Sequence, residues 1–201
     1  MNQQADALEQ LRKAAEARDP ERCQFLLKTL FMELDFYLAL AVVIERARSF
    51  LETFETYYPD GVFARRILMQ MVNTGTAPAR LPPEALRDFE YPGAANFMKA
   101  LADLAHALQP GPLPPRIGYL VSATVNAIMA ELVEHYYGPR PQAWAAVRAA
   151  PETPAASEIA YAFWTDEDIA LLDSDGWLQA ADSIERQLQR QHSFIKGQHQ
   201  R

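Results

Sequence analysis

"ERCQFLLKTLFMELDFYLALAVVIERARSFLETFETYY", residues 21–58, contains no proline, and its reading decides the fold. It is rich in strong helix formers, and the Asp19-Pro20 pair before it supplies an N-cap and a proline at the first helical position. One unbroken helix from Pro20 to Tyr57 would measure about 55 Å at ~1.5 Å per residue. A compact globule of this chain length is only about 43 Å across, so either the helix bends or the protein is elongated. The apolar run Phe36 to Ile44 inside it falls far short of the roughly 20 residues that span a bilayer. It reads as the middle of a buried helix, with Phe36, Leu40, Val43 and Ile44 in the core. Glu33 and Asp35 flank that run two residues apart, hence about 200° apart around a helix, so at most one faces the core, with Tyr37 or Arg46 to satisfy it.

Outward from this segment, prolines divide the chain. "APARLPP" (77–83), "PGPLPP" (110–115) and "GPRP" (138–141) separate stretches of helix formers, and no alternating run bounded by turn residues suggests a strand. The expected fold is all-α, an irregular helical bundle of about six to eight helices with two long central helices. Helices are expected at about 3–18, from Pro20 to Tyr57, and at 62–73, 82–90, 93–108, 115–137 and 141–150. A last long helix is expected to be capped by Thr165 with Asp168 three residues on, and to be kinked near Gly176. "PETP" (151–154) reads as a loop. The two central helices are expected to be the segment from Pro20 to Tyr57 and that at 115–137. Residues 1–193 are expected to form a single all-α domain and 194–201 a basic, flexible C-terminal tail.

Of 201 residues, 49% are hydrophobic and 22% charged, which is globular composition. The net charge is −7, and residues 186–201 contribute Arg186, Arg190, Lys196 and Arg201 with no acid, leaving −11 on the preceding 185. An acidic body argues against nucleic-acid binding, which needs a basic face. The N-terminus "MNQQADALEQLRKAAEARD" has no apolar stretch of a secretory signal, so a cytoplasmic location without a membrane span is expected. Cys23 is the only cysteine; it can form no internal disulfide and reads as a small buried hydrophobe.

Two helix ends echo each other. "ETFETYYPDG" (52–61) and "ELVEHYYGPR" (131–140) both read E-x-x-E-x-Y-Y before a turn. Glu52 and Glu55 share a helix face, as do Glu131 and Glu134, and His135 lies four residues after Glu131. Side by side, these ends would gather four carboxylates and an imidazole, the elements from which divalent metal sites in bundles are built. The pattern departs from those sites in having no Glu-x-x-His; the nearest spacing is Asp103-x-x-His106. Carboxylates at a helix C-terminus oppose the dipole and call for compensation, which Arg65 and Arg66 would supply at the first end and Arg140 at the second. The tyrosines read as anchors packed under the turns with wet hydroxyls.

"DSDGW" (173–177) fails as a calcium loop, since Leu171 would occupy the first ligand position. There is no G-x-S-x-G elbow and no glycine-rich phosphate loop. The expected function is therefore a non-enzymatic helical protein acting through protein–protein interaction, as an adaptor, assembly or regulatory factor, with a protein partner or a second copy and no cofactor. The alternatives are a metal-dependent bundle enzyme using Glu52, Glu55, Glu131, Glu134 and His135, and a regulatory domain that binds a small molecule between its central helices.

Overall fold

A computed structural model describes residues 2–78, 80–149 and 175–198. Its helices are α1 (Asn2–Glu16), α2 (Pro20–Glu33), α3 (Phe36–Ser49), α4 (Leu51–Tyr57), α5 (Val62–Thr74), α6 (Ala94–Ala107), α7 (Leu113–Tyr137), α8 (Pro141–Ala149) and α9 (Asp175–Gln198), with a 3-10 turn at Pro83–Leu86. The protein is an all-α irregular bundle.

The proline-free segment resolves its length conflict by breaking twice. Asp19 caps α2 as expected, accepting from the Arg22 N–H at 2.9 Å. The first break falls at Leu34, which is extended, and Asp35 then caps α3 by accepting from the Tyr37 N–H at 2.9 Å. Asp is as good an N-cap as it is a poor interior helix residue, so Asp35 ends the long run rather than lying within it. The Asp35 N–H donates to the side-chain carbonyl of Gln191 on α9 at 2.9 Å, so one group released at the break finds a partner. The second break is a jog at Phe50 between α3 and α4.

These breaks correct two expectations. The central pair is α6 and α7, which pack against each other more extensively than any other helices, while the segment from Pro20 to Tyr57 is divided among α2, α3 and α4. Leu40, Val43 and Ile44 are buried as expected, but Phe36 is only partly so. As the first residue of α3 it lies at the bundle surface, with the Arg116 guanidinium 3.8 Å from its ring centre. Asp35 is exposed and Glu33 half-buried.

Residues 82–90 form one 3-10 turn rather than a helix. Arg87 is extended, residues 88–90 are non-helical, and the side chains here are tied elsewhere, as described below. The last helix runs to Gln198, through the first five residues of the expected tail. The capping box at Thr165 and the loop at 151–154 lie outside the described residues.

α7 is buried over most of its circumference, from Ile117 to Tyr137. It is long and apolar enough to cross a bilayer, and 72% of its most apolar stretch is buried against other helices. Phe54 gathers an aromatic cluster at one end of the bundle, with the rings of Phe97, Tyr58 and Phe89 centred 4.9, 5.1 and 5.3 Å away.

A polar ladder crosses the α6–α7 interface. Asp103, 2% exposed, accepts from Lys99 Nζ at 2.5 Å and from Ser122 Oγ at 2.7 Å, and Asn126 donates to the Ser122 carbonyl at 2.9 Å. Because a slip would strand the Asp103 charge in an apolar interior, the ladder fixes the register of the two helices.

The N-terminus of α6 approaches α7 backbone to backbone. Gly93 has φ +81°, and a Cβ on it would lie 2.1 Å from the Ala130 carbonyl oxygen. Gly93→Ala therefore combines left-handed strain with a clash against immovable backbone. It is expected to lower unfolding free energy by about 3–5 kcal/mol in urea titration.

Candidate functional site

The two matched helix ends border one surface cleft and are joined by the segment between them. Tyr57 and Tyr58 at the end of α4 and Tyr137 and Gly138 at the end of α7 line one surface cleft of about 610 Å³, with Asp60, Arg87, Asp88, Glu90, Tyr91 and Trp144. The segment 87–93 runs between the two ends, and Tyr91 fastens them. Its ring stacks on Tyr57 with centroids 3.4 Å apart. Its N–H donates to the Tyr58 hydroxyl at 2.8 Å, and its own hydroxyl donates to Glu134 at 3.1 Å. Burial, then the hydrogen bond with Tyr57, then the Glu134 charge hold the Tyr91 hydroxyl well above the usual tyrosine range.

The far wall comes from α8. Trp144 packs on Tyr137 at 5.1 Å and donates its ring N–H to the Glu90 carbonyl at 2.6 Å. Arg148 donates to the Phe89 carbonyl at 3.2 Å and to Asp88 at 2.6 Å. Arg87 grips both Asp60 oxygens, at 2.5 and 2.9 Å, and its guanidinium lies 5.1 Å from the centres of both the Tyr58 and Phe89 rings. That pairing lowers the Asp60 pKa and raises that of Arg87. The Glu90 carboxylate is exposed and carries no ion pair among the described residues.

The candidate metal ligands are distributed among different partners. Glu131, Glu134 and His135 line a smaller cleft of about 290 Å³ with Ser49, Asp175 and Gln179, whereas Glu52 and Glu55 do not line it. Glu55 is paired with Arg65 at 2.9 Å, one of the compensating cations expected. Glu131 is bound by Ser49 and by Arg46 from α3, not by Arg140; Arg140 instead donates to the Tyr136 carbonyl and lies 4.5 Å from that ring's centre. Glu134 serves Tyr91, while Glu52 and His135 are exposed. Among the described residues no three His, Cys, Asp or Glu side chains form a group that could hold a metal ion. Asp103 and His106 part likewise: Asp103 joins the interhelical ladder, and His106 stacks on Tyr119 at 5.2 Å.

Arg46 is the most buried cation of this region, its side chain 5% exposed against 33% for Glu131. It also contacts Gln179 and Ser49, while its Nε is buried without a hydrogen-bond partner. The unequal burial makes the pair asymmetric. Removing Glu131 leaves a cation in the interior, whereas removing Arg46 leaves a carboxylate that water reaches. Glu131→Ala is expected to cost about 3 kcal/mol and Arg46→Met about 1–2 kcal/mol, and chemical denaturation showing the reverse order would contradict the assignment.

Tyr91 generates an alkaline signature. A hydroxyl whose folded pKa lies above its unfolded value of about 10 contributes stability that is full below that pH and lost as pH rises toward the folded value. Cys23, whose thiol burial pushes up to about 12, acts in the same direction, so the difference between two proteins isolates Tyr91. Above about pH 10, wild type is expected to lose melting temperature more steeply than Tyr91→Phe.

No family model, curated protein or solved structure matches the chain. The functional reading accordingly stands on these residues alone.

Proposed function

We propose that this chain is a non-enzymatic helical protein of the cytosol that acts through protein–protein contact, as an adaptor, assembly or regulatory factor, and that its partner docks at the aromatic cleft. The observation that carries the reading is Tyr57, 52% exposed yet stacked on the half-buried Tyr91. A large ring is thereby held rigidly at the surface, where burying it against a partner costs little conformational entropy. Tyrosine, tryptophan and arginine are the residues on which binding energy concentrates at interfaces, and Tyr57, Tyr91, Trp144 and Arg87 stand together here.

A second reading, a regulatory domain for a small molecule, is favoured by the cleft's volume, about 610 Å³, within the range of small-ligand pockets. One experiment separates the two. A photo-reactive benzoylphenylalanine replaces Tyr57 in one protein and the exposed Glu16 in another, and both are irradiated in the native cell. Protein adducts from position 57 that position 16 does not give support docking at the cleft. Identical adducts from both positions, or none from position 57, reject it.

A further inference from the structure

We infer that the group entering the cleft is a cationic side chain, an arginine above all, presented by a basic segment of a partner protein. This rests on the docking role proposed above and adds the chemistry of the occupant. The cleft's polar groups decide it. The Trp144 ring N–H is spent on the Glu90 carbonyl, the Tyr91 hydroxyl on Glu134 and the Arg87 guanidinium on Asp60. An anion entering here would therefore find these three donors already engaged and would be left with tyrosine hydroxyls. Acceptors, by contrast, remain in supply. Asp88 and Asp60 are 76% and 60% exposed despite their arginines, and the exposed Glu90 carboxylate has no ion pair among the described residues.

The lining holds three carboxylates against the single cation of Arg87. A neutral apolar group would pack on the rings but would strip water from those carboxylates without replacing it. A guanidinium does both tasks, stacking on an aromatic face while its planar fork bonds a carboxylate. The protein already contains this arrangement in miniature: Arg87 lies against the Tyr58 and Phe89 rings with both nitrogens on Asp60. An incoming arginine between Tyr57 and Trp144 with Glu90 as its counter-ion would repeat it. The −7 net charge of the chain would draw a basic segment toward the cleft.

The test uses the full chain at low salt and end-blocked pentapeptides Gly-X-Gly-X-Gly with X as Arg, Lys or Gln, followed by tryptophan emission and assigned to the cleft by its absence in Trp144→Phe. The Arg peptide is expected to bind at least tenfold more tightly than the Gln peptide, with Lys between them and with affinity falling as salt is added. Glu90→Lys should weaken the Arg peptide at least tenfold, while Glu16→Lys, with the same change in net charge, should leave it within twofold. Circular dichroism of both variants establishes that they are folded. Equal binding of Arg and Gln peptides, or equal damage by the two charge reversals, would overturn the inference, as would saturation by tetramethylammonium with no binding of the Arg peptide. Cross-links from position 57 that persist undiminished in Glu90→Lys would overturn the cationic occupant and leave the docking role standing.

Discussion

The contact on which the cleft depends is that between Gly93 and the Ala130 carbonyl, where a side chain would stand 2.1 Å from the oxygen. With α6 seated on α7 at that point, the preceding residues have little choice of path. Ala130 lies one turn before Glu134, so Tyr91, two residues before Gly93, arrives beside the Glu134 carboxylate. Glu90 then falls under Trp144, and Phe89 drops into the cluster around Phe54. A continuous α-helix over the segment 82–90, at about 1.5 Å per residue against ~3.3 Å extended, would shorten it. The non-helical backbone from Arg87 to Glu90 is thus what lets one short connection touch the ends of α4, α7 and α8 together.

The buried polar groups do different work from the apolar core. Apolar side chains supply most of the buried core, but apolar packing alone tolerates sliding and rotation of one helix on another. Asp103 held by Lys99 and Ser122, and Arg46 held by Glu131 and Ser49, tolerate neither, because displacement would leave an uncompensated charge inside. One ladder fixes α6 against α7. The Arg46 network joins α3, α7 and α9 at once, since Gln179 lies on α9.

Much of this was legible in the residues, for physical reasons. Proline placement divides the chain because proline cannot donate within a helix, and Asp19-Pro20 starts α2 as its chemistry requires. The break at Asp35 was hidden because that aspartate is surrounded by strong helix formers, and the Gln191 side chain that meets its N–H comes from 156 residues away in sequence. The cleft was half legible. The repeated E-x-x-E-x-Y-Y marks both helix ends that form it, and drawing a metal site from the glutamates gave weight to the carboxylates over the rings. Tyr91 and Trp144 bear no pattern of their own in the sequence. They matter only because the fold carries a linker and a short helix to the same place.

The matched ends converge on tyrosine rather than on carboxylate for an electrostatic reason. Glu55 and Glu134 stand in the last turns of α4 and α7 and face the negative ends of those dipoles, at up to about 1 kcal/mol each, whereas Glu52 lies in the first turn of α4; gathering carboxylates at the C-terminal ends without a strong cation would compound the penalty. The fold answers each separately, Glu55 through Arg65, Glu131 through Arg46 and Glu134 through the Tyr91 hydroxyl. Those answers give Glu55, Glu131 and Glu134 separate partners, with Glu131 and Glu134 still lining one small cleft. The tyrosines that follow line one cleft, and each end packs a ring on an intervening aromatic, Tyr57 on Tyr91 and Tyr137 on Trp144. Compensation of Glu134 and construction of the aromatic cleft are joined in Tyr91, which serves that carboxylate with its hydroxyl and stacks its ring on Tyr57, while the acidic rim comes from the connecting segments that carry Asp60, Asp88 and Glu90.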